Sequence, residues 1–447
     1  MPSRPTALPE SVPPAPPRLW RNGDFRMLWV GESVSQFAEQ AGSVVLPLSA
    51  VLSLHVDAGQ LGLLRAVYEV PVLLFSLFAG AWVDRRSSRT VMMLADGCRA
   101  LALGGLALVS LLGELDLPTL LGVAFTVGTL AVFFDVGYQA CVVRVLDREL
   151  LARGTSALEG SRSAAQTTGP AIGGALVSLF RATAGAGLCA VLFAVSFVSI
   201  RRMRRPEASS SQPAHSPRFG QQIHEGLRFV LANPLLRTLS LVSAVFQFSF
   251  SALMTVYLLF LPRDLHASGT AIGLALAATG PGAVLGSLLA ARLPKRFGYG
   301  VVLVLAPAIG DGVLLCLPAL HGPGTATVAA LLAVNFVFGL CSQVVDIAAV
   351  AVRQAVTAHE MQGRASATVS FFGMGLTPFG SLLGGYLAQQ WGLRATLLAA
   401  VIGTLLAPTL IAISPLARLG RTLPAPDVPG ALRKQHIEQT RDGHSVP

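Results

Sequence analysis

Twelve stretches of this sequence are apolar over a length that spans a bilayer, near residues 27–52, 58–83, 90–113, 118–140, 157–180, 183–201, 238–262, 270–291, 300–320, 325–349, 366–390 and 394–416. About 20 helical residues cross the roughly 30 Å of hydrocarbon. Inside lipid the backbone must satisfy its own hydrogen bonds, which runs of this length do as helices. Charged residues make up 13% of the chain, about half the share usual in soluble domains. The expectation is an all-α membrane protein with twelve transmembrane helices.

The formal net charge of +10 raises the question of nucleic acid, and its distribution answers against it. Arginine and lysine collect in alternate loops: Arg18 to Arg26, Arg85 to Arg89, Arg144 to Arg153, Arg201 to Arg205, Arg292 to Arg296, then Arg353 and Arg364. The intervening loops hold little beyond Arg181, Arg263 and Arg394. By the positive-inside rule both termini lie in the cytoplasm, in the cell's plasma (inner) membrane. Five cysteines stand singly among the spans without a C-x-x-C pair, so no zinc or redox site is expected.

The chain divides into five parts. Residues 1–19, with seven prolines, read as a disordered cytoplasmic tail. Residues 20–201 form a first set of six spans, and 237–417 a second. Between them, 202–236 is a basic linker with a short amphipathic helix beginning near Phe219, and 418–447 is a cytoplasmic tail. The two sets are copies. A shift of 211 residues carries Arg26-x-Leu28 onto Arg237-x-Leu239 and Val34-x-Gln36-Phe37 onto Val245-x-Gln247-Phe248. The same shift carries Gly128 to Gly339, Asp135 to Asp346, Arg153 to Arg364, Gly169 to Gly380 and Gly173-Gly174 to Gly384-Gly385. Two parallel six-helix repeats about an axis along the membrane normal follow from that register.

Polar residues inside spans cost at least about 2.5 kcal/mol per carboxylate, so they mark an interior. In the first span Glu32, Ser35, Gln36, Glu39 and Ser43 fall along one helical stripe. Their counterparts at Glu32 and Glu39 are Ser243 and Phe250, so shared architecture does not require the acids; they are candidates for proton and substrate binding. Arg99, three residues after Asp96 in the third span, is expected to face the same interior. Gln247, Asn335 and Gln343 offer hydrogen bonds from the second half. Asp135 and Asp346, with Arg153 and Arg364, recur in both halves and read as helix-end pairs. Arg65 and Glu69, four apart, can pair across one turn.

Between the second and third spans the chain reads Gly80-x-x-x-Asp84-Arg85-x-x-x-Arg89. This resembles the signature loop of the major facilitator superfamily, although Ser87 and Ser88 occupy positions often filled by glycine and a basic residue. Gly169-Pro170-x-x-Gly173-Gly174 resembles the G-P-x-x-G-G motif in the antiporter branch of that superfamily. Phe134-Asp135, the run from Leu150 to Leu158, Ile223 to Val230 and Asn233-Pro234 look like the enterobactin-exporter and macrolide-efflux branch. The resemblance covers residues 20–418. It implies a secondary transporter with two bundles related by a pseudo-twofold, exporting a lipophilic small molecule (drug, siderophore or other natural product) in exchange for protons. It also implies that Asp84 caps the N-terminus of the eleventh helix, with Arg85 and Arg89 joining nearby acids, to lock the cytoplasmic side. The intramembrane arginine that many drug/proton antiporters carry in the fourth helix is missing here. Import by proton symport, or a non-transporting sensor or scaffold, are the alternatives. The expected partners are the substrate, protons and lipid, around a monomer without cofactor, metal or enzymatic activity; no Walker loop is present.

Overall fold

A computed structural model describes residues 19–83, 86–146, 148–203, 227–357 and 362–424. The described residues form helices and connecting turns, with no strand among them. In the first half these are α1 (Gly23–Ser53), α2 (Ala58–Val83), α3 (Ser88–Leu112), α4 (Leu117–Val145) and α5 (Arg148–Arg201). The second half contains α6 (Pro234–Arg263), α7 (Gly269–Ala277), α8 (Thr279–Ala290), α9 (Leu293–Phe297), α10 (Tyr299–Val313), α11 (Thr325–Val356), α12 (Gln362–Gly375), α13 (Thr377–Trp391) and α14 (Leu393–Ala412). Nine stretches among the described residues are long and apolar enough to cross a membrane. Leu101, Leu111, Leu112 and Ile413 are more than two-thirds exposed on the outside of the bundle, the surface a lipid-embedded protein presents.

Element α5 is two arms. Val45 of α1 lies within 3.1 Å of where a Gly185 side chain would begin, and Val177 within 3.3 Å of the same point. A straight helix would separate residues eight apart by about 12 Å, so the chain reverses between Val177 and Gly185. The first arm rises beside α1, where Gly173 meets the Ala41 backbone. The second descends beside it, and Ser196 donates a 2.8 Å hydrogen bond to the Gly31 carbonyl.

The 211-residue register holds at the level of atoms. Asn22 caps α1 by accepting from the amides of Asp24 and Phe25, and Asn233 caps α6 by accepting from Leu235 and Leu236. Gly128 of α4 is pressed on the Tyr68 carbonyl, and Gly339 of α11 on that of Thr279. Gly173 meets Ala41, and Gly384 meets Ala252. The contacts between halves repeat too: Gly174 packs on Gly273, and Gly385 on Gly62. Each pair is displaced by the same 211 residues, in opposite senses, as a twofold requires.

The core is joined at one end and divided at the other. At the end predicted to face outward, one apolar cluster runs through both halves and includes Val45, Leu61, Val256, Leu276 and Leu397. At the opposite end, Leu28, Phe134 and Ile200 form a cluster within the first half, while Val302, Val344 and Val352 form a separate one in the second. The joined end also carries polar bonds. Arg263 donates to the carbonyls of His55 and Val56, and Gln389 donates to Asp57 at 2.9 Å.

Candidate functional site

Two polar assemblies occupy the interior. The first lies within the N-terminal half, where α1 and α3 face each other. Arg99 has no exposed side-chain surface; its Nη1 stands 3.4 Å from Asp96 Oδ1 and 3.5 Å from Glu39 Oε2. Phe134 and Phe193 cover the guanidinium at 5.0 and 5.1 Å from their ring centres. Such desolvated cation–π contacts are worth about 2 kcal/mol. Ser35 donates to the same Asp96 oxygen at 3.0 Å. Glu32 is almost fully buried one turn away and accepts from Gln36 Nε2 at 3.0 Å. Thus Glu32, Ser35 and Gln36 of that stripe are buried, and of its two acids Glu39 meets Arg99 while Glu32 is held by Gln36. One guanidinium stands between two carboxylates, and of the three only Glu39, at 19%, retains exposed side-chain surface.

The second assembly is a cavity of about 370 Å³ between the halves. Its N-terminal wall includes Ser43, Arg65, Gln166 and Pro170. The C-terminal wall carries Phe250, Met254 and Tyr257 from α6 and a stripe of α11 from Asn335 to Asp346. Asn335 Nδ2 donates to the Tyr257 hydroxyl at 2.9 Å, which fixes both side chains. Ser43 follows Glu39 by one helical turn on the same face of α1, so the buried charge cluster ends one turn from the cavity wall.

Of the predicted site residues, Asn335 and Gln343 line the cavity. Glu32, Gln36, Glu39 and Arg99 gather inside the first half. Gln247 is half-buried on α6, outside the cavity lining. Gly169 and Gly173 hold the first arm of α5 against Gln40 and Ala41, while Gly174 reaches across to the second half. Pro170, between them, turns to the cavity.

Asp135 pairs with Arg162 at 3.7 Å, and the Arg153 side chain is exposed. The expected Asp135–Arg153 pairing therefore differs. Asp135 lies well inside α4, and Arg162 is the arginine at comparable depth in the first arm of α5. Asp84 and Arg85 lie outside the described residues, as do the side-chain surroundings of Gly80 and Arg364. Arg89 donates to the carbonyls of Ile200 and Arg201 at 3.1 and 2.6 Å, a cation at the negative end of a helix.

Sequence reasoning missed one assembly. Arg65 and Glu69 do pair, at 3.2 Å. Glu69 also accepts hydrogen bonds from Ser251 of α6 at 3.2 Å and Ser381 of α13 at 3.1 Å. A helix of the first half is thereby tied to two helices of the second. Serines are unremarkable in membrane helices, and no spacing in the chain links position 69 to 251 or 381.

Comparison with known proteins sets these features in context. The model of the family described as "Transmembrane secretion effector" matches residues 15–441. The chain is 28% identical to the multidrug efflux pump Tap of Mycobacterium tuberculosis (strain ATCC 25618 / H37Rv) over 370 residues, covering 78% of this chain and 83% of that protein. It is 22% identical to macrolide efflux protein A of Streptococcus pyogenes, over 66% of this chain and 73% of that protein. Among solved structures, a bacterial homologue of the human lysosomal transporter Spinster superposes with a TM-score of 0.67 at 15% identity, covering 90% of this chain and 98% of that one.

Proposed function

Since the chain belongs to the transmembrane secretion effector family, within the major facilitator superfamily, we propose that it exports a lipophilic small molecule across the plasma membrane in exchange for protons. The export direction is supported by the printed names of its relatives, the efflux pumps Tap and macrolide efflux protein A. Coupling to protons is supported by one observation above all: a cluster with two carboxylates and one guanidinium, buried in the first half, whose Glu39 stands one helical turn from the cavity-lining Ser43. We assign the exchanged proton to Glu39. With the proton bound, Arg99 keeps Asp96 as partner and the cavity wall beside Ser43 is neutral. When Glu39 releases the proton, its charge is drawn back to Arg99. Substrate entry into the cavity and proton entry at Glu39 then alternate, and the two halves rock about the site between them. The absence of a Walker loop fits a gradient as the energy source.

The test uses inside-out vesicles containing the full chain and a panel of lipophilic fluorescent dyes. Wild type is expected to accumulate dye when an inward-acid gradient is imposed and to release it when the gradient is collapsed. Glu39→Gln is expected to lose gradient-driven accumulation while dye still equilibrates across the membrane. Unchanged gradient-driven accumulation by Glu39→Gln would remove Glu39 from the coupling step.

A further inference from the structure

The two repeats agree at an aspartate and differ at its partner, and the difference falls on the cavity. α11 turns one stripe to the cavity: Asn335, Phe338, Gly339, Ser342, Gln343 and Asp346, at the three- and four-residue spacing of a helical face. In the same register α4 carries apolar Ala124, Val127, Ala131 and Val132, so only the glycine and the aspartate are common to both. In the first half Asp135 has Arg162 beside it at 3.7 Å. The residue 211 positions after Arg162 is Gly373, packed against the Ser243 hydroxyl. The second copy of the aspartate has therefore lost the arginine that neutralises the first.

Asp346 accordingly has no ion pair or hydrogen bond among the described residues, and its side chain is exposed on the cavity wall. The other charge on that wall, Arg65, is engaged by Glu69 at 3.2 Å. A carboxylate at membrane depth needs a counter-charge. Around it the wall is aromatic and soft: Phe250 and Phe338 stack at 5.4 Å, with Met254 and Tyr257 beside them. Aromatic faces attract cations, and a thioether adapts to varied shapes.

The geometry points to lipophilic monocations as the substrate class, with Asp346 as the counter-ion of the bound molecule and the α6–α11 aromatics as the seat of its apolar body. This inference rests on the cavity being the transport site. An anion of the same size is excluded by the same carboxylate, and a neutral analogue is held by the apolar wall alone.

Binding of tetraphenylphosphonium and of neutral triphenylphosphine oxide to the purified full chain, measured by calorimetry, tests it. Wild type is expected to bind the phosphonium at least tenfold more tightly than the oxide, and to bind tetraphenylborate more weakly than either. Asp346→Asn is expected to lose the preference for the phosphonium while keeping its affinity for the oxide, which reports an intact cavity. Gly373→Arg, which returns to the second repeat the arginine present in the first, is expected to lose the same preference. Asp346→Glu is expected to retain it. No saturable phosphonium binding to wild type, no preference for it over the oxide, or a preference that survives Asp346→Asn would overturn the assignment. The vesicle assay separates the two readings. Gradient-driven dye transport without cation preference leaves transport standing and removes the substrate class. Cation preference without gradient-driven transport does the reverse.

Discussion

Arg99 has no exposed surface, and two carboxylates and two phenyl rings take up its guanidinium. Removing one member of a buried charge cluster leaves the others uncompensated, at about 3–5 kcal/mol. Arg99→Leu is therefore expected to lower the thermal stability of the purified protein sharply, and Arg99→Leu with Asp96→Asn to recover part of the loss. Thermal unfolding of the two variants decides; equal stability of single and double variants would argue that Asp96 is not what the arginine balances. Arg99→Lys is expected to fall between, because an ammonium lacks the flat face that sits between Phe134 and Phe193. Much of this was legible in the sequence. Acids on one stripe of a hydrophobic helix have to turn inward, and Arg99 of the third span was expected to face the same interior. The partner of Asp135 was not legible, because it depends on how deep two antiparallel helices overlap, which the linear order leaves open.

At the scale of elements, glycines set the distance between helices. A Cβ on Gly128 would stand 2.2 Å from the Tyr68 carbonyl, and on Gly339 2.3 Å from that of Thr279. Backbone cannot yield as a side-chain tip can, so each added methyl forces α2 and α4, or α8 and α11, apart. Gly128→Ala and Gly339→Ala are each expected to destabilise by about 1–3 kcal/mol. Gly122→Ala, on the same α4 with nothing within 4 Å, is expected to be neutral. Thermal unfolding in detergent compares the three, and equal effects would show that close approach is not what Gly128 provides. These glycines were visible beforehand as a repeated register, although which helix each one meets was not. The interruption of the second half at Ala278 escaped the sequence because apolar composition continues across it, whereas the break between Ala290 and Tyr299 was marked by Arg292, Lys295 and Arg296.

For the whole molecule, the end at which the halves meet is held by bonds that exist only while it is closed. Glu69 is the central one, since Ser251 and Ser381 both donate to it from the opposite half. Glu69→Ala, or Ser251→Ala with Ser381→Ala, is expected to loosen this end without altering either half. Spin labels at Glu114 and Thr325 should then report a longer, broader distance distribution than in the unmutated background; an unchanged distribution would mean that the apolar cluster alone holds the closure. Twofold symmetry was legible from the 211-residue shift, whereas the tie through Glu69 joins positions 182 and 312 residues apart and obeys no repeat. Two further contacts between the halves have a different character. At Gly174 against Gly273 and at Gly385 against Gly62, a Cβ added to the first glycine of each pair would stand 3.0 Å from the Cα of the second, so backbone meets backbone without side chains between. With no side chain at either point, nothing has to change rotamer when the angle between the bundles changes. Two side-chain-free contacts related by the repeat therefore suit a pair of bearings, on which a change of angle between the bundles meets no interlocking side chain.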